Sequence, residues 1–210
     1  MKNSIPFSFA RVGIAAGIIA TLALVSGTVT QSTAGPAAKP GSAAATDNGG
    51  AFYVGEAVCI ACHLPQNKQF THTVHADAFR RNPKDELQQK SCESCHGPGS
   101  NHLKNPVDPA NRPSIVGFTK EWGTPVATQN GQCLQCHSGG NAMHWDSSAH
   151  GRNQLACSDC HNPMAKVSAT GLLKKPTINE TCYTCHQQQR AEFAKRSHMP
   201  LPEGKLSCAD

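Results

Sequence analysis

The pattern Cys-x-x-Cys-His occurs five times in this chain, at Cys59/Cys62/His63, Cys92/Cys95/His96, Cys133/Cys136/His137, Cys157/Cys160/His161 and Cys182/Cys185/His186. Two thiols three residues apart with a histidine directly after the second form the attachment signature of c-type haem. The thiols add to the porphyrin vinyl groups, and the adjacent imidazole binds the iron from one face. A chain punctuated this way must fold around flat prosthetic groups. The expected architecture is a multihaem cytochrome c, with mostly short α-helices and loops packed around covalently bound haems and little or no β-sheet. Haem c is the expected cofactor, with five complete sites.

The rest of the composition agrees with an interior not built from side chains. Aromatic residues number eleven in 210, and past residue 34 there is no long apolar periodic segment. A thin core needs another staple, and attached porphyrins are large apolar plates. A zinc or disulfide protein also uses paired cysteines, but a histidine after every second cysteine has no purpose there.

Ten of the eleven cysteines belong to the five motifs. The eleventh, Cys208, is followed by Ala209 and Asp210. Leu206-Ser-Cys208-Ala-Asp210 parallels Leu155-Ala-Cys157-Ser-Asp159-Cys160-His161. The first cysteines are spaced 33, 41, 24 and 25 residues apart, with 26 more to Cys208. We read Cys208 as the first haem thiol of a sixth motif and expect the chain to be the front part of a longer polyhaem protein.

Lys2 and Arg11 flank a short polar start, Val12 to Val25 is apolar or small, and Ser32-Thr33-Ala34 offers a small-residue cleavage site. Residues 1–34 are therefore read as a secretory signal peptide, because 14 apolar residues fall short of the ~20 a spanning helix needs. Residues 35–50 read as a flexible linker, and 51–210 as the multihaem domain. Export to the periplasm fits a chain whose haem is attached outside the cytoplasm. The formal net charge of +5 is no sign of a nucleic-acid partner: without residues 1–34 there remain 17 basic and 14 acidic side chains, with the lysines scattered and no basic stripe. Ferric haem with two ionised propionates adds about −1, so five would bring the loaded protein to about −2.

Each iron has a second face. Six histidines lie outside the motifs: His72, His75, His102, His144, His150 and His198. His75 follows His63 by 12 residues, His150 follows His137 by 13 and His198 follows His186 by 12, and each precedes the next motif, at Cys92, Cys157 and, on the sixth-motif reading, Cys208. Motifs one, three and five thus each open a two-haem unit, an internal repeat with variable loops. His102 follows a Gly97-Pro-Gly99 turn that would let it approach a haem face. His75, His102, His150 and His198 are the distal candidates. His72 and His144 are read as solvated or haem-edge side chains. Met164 is a candidate for the remaining iron, where a thioether would raise the potential relative to imidazole; packing is its alternative, and Met143 and Met199 are read as packing. Thr177-Ile-Asn-Glu180 reads as a capping box that starts a helix through Cys182, Cys185 and His186 to about Lys195. Such a helix rises about 18 Å over 12 residues, so His198 could not reach the iron of His186 along it. The pairing of distal with proximal ligands stays open at this point.

From about Gly55 onward the chain resembles the decahaem c-type cytochromes of the DmsE/MtrA type. The resemblance rests on Cys92-Glu-Ser-Cys-His-Gly-Pro-Gly-Ser-Asn-His102, Trp145-Asp-Ser-Ser-Ala-His150 with Ala156-Cys-Ser-Asp-Cys-His161, Lys175-Pro-Thr-Ile-Asn-Glu-Thr-Cys-Tyr-Thr-Cys-His186, and Lys195-Arg-Ser-His-Met-Pro-Leu201. It implies distal roles for His75, His102, His150 and His198, and about ten haems in a full-length protein. It also implies a periplasmic wire embedded in an outer-membrane β-barrel porin, with an outer-surface cytochrome or reductase on one side and an inner-membrane or periplasmic cytochrome donor on the other. Family members often carry a histidine three residues after the fourth motif, where this chain has Met164.

Electron transfer, with no catalytic residue, is the expected activity. The alternatives are a soluble pentahaem donor to a periplasmic reductase and a nitrite- or hydroxylamine-type reductase. The reductase would need a five-coordinate iron, and all five complete motifs keep their histidine. If porphyrin staples the fold, protein made without haem attachment should be largely unfolded by far-UV circular dichroism, and a well-ordered apo form would contradict this.

Overall fold

The computed structural model describes residues 50–210. The segment read as a signal peptide and nearly all of the one read as a linker lie outside them. Among the described residues there is no strand, only an isolated antiparallel bridge between His161 and Leu173. The helices are short: α1 (Glu56–Cys62), α2 (Leu64–Phe70), α3 (Val74–Ala76), α4 (Cys92–His96), α5 (Val126–Leu134), α6 (Ala149–Arg152), α7 (Cys157–Cys160), α8 (Ile178–Cys182) and α9 (Gln187–Phe193). A π turn over Asp77–Arg81 extends α3, and 3-10 turns fill much of the rest. No described helix is long and apolar enough to cross a membrane.

Local chemistry explains where the helices start. Thr73 Oγ1 accepts the Ala76 N–H (3.2 Å) at the start of α3, and Ser148 Oγ accepts the Gly151 N–H (2.9 Å) at the start of α6. These are N-caps, and in both cases a histidine, His75 or His150, sits two residues after the cap. Pro65 opens α2, where a missing N–H costs nothing. Thr177 and Glu180 form the expected capping box ahead of α8. Gly97 takes φ 75° and ends α4, a conformation a side chain would strain.

One expectation needs correction. The helix from the fifth motif does not run unbroken to Lys195. α8 ends at Cys182, and α9 begins only at Gln187, with His186 at φ −87°, ψ 57° between them. The cause is local. The Thr181 hydroxyl donates to the Thr177 carbonyl (2.9 Å) and the Thr184 hydroxyl to the Thr181 carbonyl (2.7 Å). Such back-bonding competes with the helical ladder, and the turn tightens to i→i+3 bonds at Thr184 and Cys185. His63 separates α1 from α2 in the same way, at φ −104°, ψ 41°.

The interior is held mostly by hydrogen bonds. The buried apolar residues among those described are Phe70, Ala76, Val116, Ala156 and Leu201, outnumbered by nine buried polar ones. Glu93, inside the second motif, is the largest fully buried side chain. Its Oε1 accepts the N–H groups of Val54 (3.0 Å) and Gly99 (2.8 Å), and its Oε2 accepts that of Gly55 (2.9 Å). One carboxylate thus ties the chain entering α1 to the Gly-Pro-Gly loop leaving α4. Glu93→Gln would turn an NH2 toward a backbone N–H, leaving donors unpaired at about 1–3 kcal/mol. At about 2–4 °C per kcal/mol for a chain of this size, a thermal melt of the holo-protein should fall by several degrees.

Candidate haem sites

Each motif closes as one helical turn. The N–H of His63, His137, His161 and His186 donates to the carbonyl of the first cysteine of its own motif, at 2.9, 2.9, 2.9 and 3.0 Å. The second motif lies wholly within α4. Thiols at i and i+3 therefore share a face, while the histidine leaves the turn beside them. None of the eleven cysteines forms a disulfide. Burial pushes the thiols of Cys92 and Cys95 up, to about 12 and about 11. The neighbouring Cys157 thiol and burial together push Cys133 up as well.

The histidines of the second and fourth motifs are held by loop carbonyls. His96 Nδ1 lies 2.7 Å from the Val116 carbonyl, and the Val116 N–H returns a bond to the His96 carbonyl (2.9 Å). His161 Nδ1 lies 2.7 Å from the Gly171 carbonyl. A carbonyl only accepts, so Nδ1 carries the proton and Nε2 keeps its lone pair for a metal. This is the tautomer control that metal-binding histidines use. His96 also packs edge-on against Phe118, with ring centres 5.3 Å apart.

The histidines of the first, third and fifth motifs face histidines from elsewhere in the chain. His63 stands opposite His102 with ring centres 6.4 Å apart and planes 25° off parallel. His137 stands opposite His75 at 5.9 Å, and His186 opposite His150 at 6.0 Å. A metal–imidazole bond is about 2 Å, and a ring centre lies about 1 Å behind its nitrogen. Two imidazoles on opposite faces of one metal should therefore have ring centres about 6 Å apart, as these three pairs do. Burial holds His75 and His102 below the ordinary histidine range, with their partner imidazoles adding to it; neutral rings are the form that ligates. The Nδ1 atoms of both are buried without a hydrogen-bond partner, an uncompensated state for a polar ring. Apolar Val74, next to His75, and Leu64, next to His63, are exposed. Paired thiols, facing imidazoles and apolar neighbours fit an iron porphyrin.

Local structure sets the reach of each facing histidine. His75 and His150 sit just inside capped turns. Gly151 is obligatory beside His150, because a Cβ there would lie 2.2 Å from the Trp145 carbonyl oxygen. His102 opens a 3-10 turn on the loop that Glu93 anchors, with the Trp122 ring 6.3 Å away. The structure brings the other two candidates to no facing imidazole among the described residues. His198 is exposed, its Nδ1 against the Lys195 carbonyl and its Nε2 3.0 Å from the Glu203 carboxylate. Those two bonds hold His198 above the ordinary histidine range. Met164 is half-buried, its N–H donating to the Asn162 side chain (3.1 Å). His72 and His144 are exposed.

Repeated turns of this kind are the attachment sites of a multihaem c-type cytochrome. The doubled CXXCH motif family matches residues 149–191. The multiheme cytochrome MtrA of Shewanella baltica is 30% identical over 152 residues, 72% of this chain and 44% of that protein. The C-type polyheme cytochrome OmcB of Geobacter sulfurreducens is 26% identical over 171 residues, 68% of this chain and 21% of that protein. The chain spans less than half the length of these relatives. It belongs to the MtrA-type family of multihaem c-type cytochromes.

The facing pairs carry a specific expectation. In haem-loaded protein, His102→Ala or His150→Ala should each convert one low-spin ferric haem to high spin and admit one equivalent of carbon monoxide after reduction. Electron paramagnetic resonance and CO titration read both. An unchanged spectrum would mean the facing imidazole is not the sixth ligand.

Proposed function

We propose that this chain carries electrons through a row of covalently held haem c groups, five of them complete between Cys59 and His186. The observation that carries the reading is the set of three imidazole pairs at 5.9–6.4 Å. Cys59/Cys62, Cys92/Cys95, Cys133/Cys136, Cys157/Cys160 and Cys182/Cys185 would hold the porphyrins. His63, His96, His137, His161 and His186 would bind the irons from one face, with His102, His75 and His150 opposite His63, His137 and His186. Haem supplies the one-electron chemistry when bound. At three of the five sites the chain's own residues would offer the iron an imidazole on either side, leaving little room there for a substrate. That favours a carrier over a reductase.

Met164, three residues past His161, is the candidate second ligand there. His198 would have to give up the Glu203 carboxylate to take a metal, and belongs to a haem beyond the first five. Cys208 is proposed as the first thiol of that haem's site. The resemblance to MtrA supports a finer reading. The chain would be exported to the periplasm and form part of an outer-membrane conduit, receiving electrons from, or delivering them to, a periplasmic or inner-membrane cytochrome. A β-barrel porin and an outer-surface cytochrome or reductase would be its other partners.

Intact mass should show five tetrapyrrole adducts on the isolated chain, and the reduced wild-type protein should bind far less than one CO per haem. Stoichiometric CO binding would move the reading toward a reductase. For the conduit, crosslinking in cells should recover the protein with an outer-membrane barrel; recovery only with soluble periplasmic enzymes would favour a shuttle.

A further inference from the structure

The three two-haem units share a device that the motifs do not reveal. Asn130 lies three residues before Cys133. Its Oδ1 accepts the N–H of Cys157, the first thiol residue of the next motif, at 2.8 Å, and its amide donates to the Leu155 carbonyl at 3.2 Å. Asn179 lies three residues before Cys182. Its Oδ1 accepts the N–H of Cys208 at 2.8 Å, and its amide donates to the Leu206 carbonyl at 3.3 Å. These two bonds recur at both asparagines, and the Asn179 amide adds one to the Leu201 carbonyl (3.3 Å). Each asparagine bridges one attachment turn to the start of the other. The thiols that follow are near enough to act on each other, Cys157 on Cys133 and Cys208 on Cys182.

The first unit reaches the same end with different chemistry. Glu56 lies three residues before Cys59. Its Oε1 accepts the Ser91 hydroxyl at 2.5 Å and lies 3.7 Å from Cys92 Sγ, and Cys59 and Cys92 are again neighbours. Arg80 balances the carboxylate at 2.6 Å. Burial alone would raise the Glu56 carboxyl; the hydrogen bonds from Arg80 and Ser91 overcome it and hold the group below its usual range. Asn130 is buried, as is its neighbour Gln129, which accepts from Ser158 Oγ (3.1 Å) in the fourth motif.

We propose that the side chain three residues before motifs one, three and five is a positioning residue: Glu56, Asn130 and Asn179 clamp two attachment turns thiol to thiol and so set the spacing within each haem pair. The proposal rests on the haem reading above. Neither asparagine touches a reacting atom; each acts through the backbone N–H of a partner cysteine, whereas Glu56 acts through Ser91 and also accepts from the Cys92 thiol. The bonds make two demands, an acceptor for the cysteine N–H and a donor for the carbonyl two residues earlier. Asparagine meets both, aspartate meets the first, and leucine meets neither with the same branched four-heavy-atom side-chain skeleton.

The test compares wild type, Asn130→Asp and Asn130→Leu as haem-loaded proteins. Intact mass counts the adducts, and circular dichroism in the Soret band reads the exciton couplet that closely stacked haems produce. All three should carry five adducts, because attachment depends on the motif. Asn130→Leu should lose close to half of the couplet, the share of one of the two complete pairs, and its midpoint potentials should shift for the haems of motifs three and four alone. Asn130→Asp should keep most of the couplet. Equal couplets and potentials in wild type and Asn130→Leu would overturn the proposal, and so would equal losses in both variants. Chains without adducts, wild type included, would instead sink the haem reading itself.

Discussion

The structure depends on a single hydrogen-bonded turn made five times. When the histidine N–H closes onto the carbonyl of the first cysteine, two thiols are brought to one face and an imidazole to their side. Neither of the remaining motif positions is required for this, which is why they vary freely among Ile-Ala, Glu-Ser, Leu-Gln, Ser-Asp and Tyr-Thr. Everything larger is arranged around those turns. Helices stop at them, as α1 does at Cys62 and α8 at Cys182, and loops run from one to the next.

Hydrogen bonds do the work that a hydrophobic core does elsewhere. The few buried apolar side chains could not order a chain of this length against its conformational entropy. Glu93, Asn130, Asn179 and the capping hydroxyls of Thr73, Ser148 and Thr177 fix local geometry instead. A set of rigid, polar, locally determined turns suits a protein whose apolar interior is supplied by covalently attached plates. It also suits electron transfer, where the ligands should move little between redox states.

Much of this was legible in the chain. The motifs were visible as spacing, the helix-and-loop class followed from them, and the Thr177–Glu180 capping box was readable from its four letters. The partners of the distal histidines were not. His75 lies 12 residues from His63 but faces His137, and His102 lies six residues from His96 but faces His63. Such crossings are set by loop paths, and a 12-residue interval says nothing of direction once a helix breaks. The helix through the fifth motif was overextended because threonine back-bonding is weak evidence in a sequence and decisive in a turn. Asn130 and Asn179 stood at equal offsets from their motifs all along. An asparagine before a helix turn looks like a cap until the backbone group it holds, 27 or 29 residues downstream, is seen.

The central claim is that imidazoles distant in sequence share one metal between them. Iron-edge anomalous diffraction from crystals of the haem-loaded protein tests it without reference to activity. The account predicts iron peaks between His63 and His102, between His75 and His137, and between His150 and His186, each about 2 Å from one nitrogen of either ring. Iron peaks bound by His63, His137 and His186 but remote from His102, His75 and His150 would contradict it.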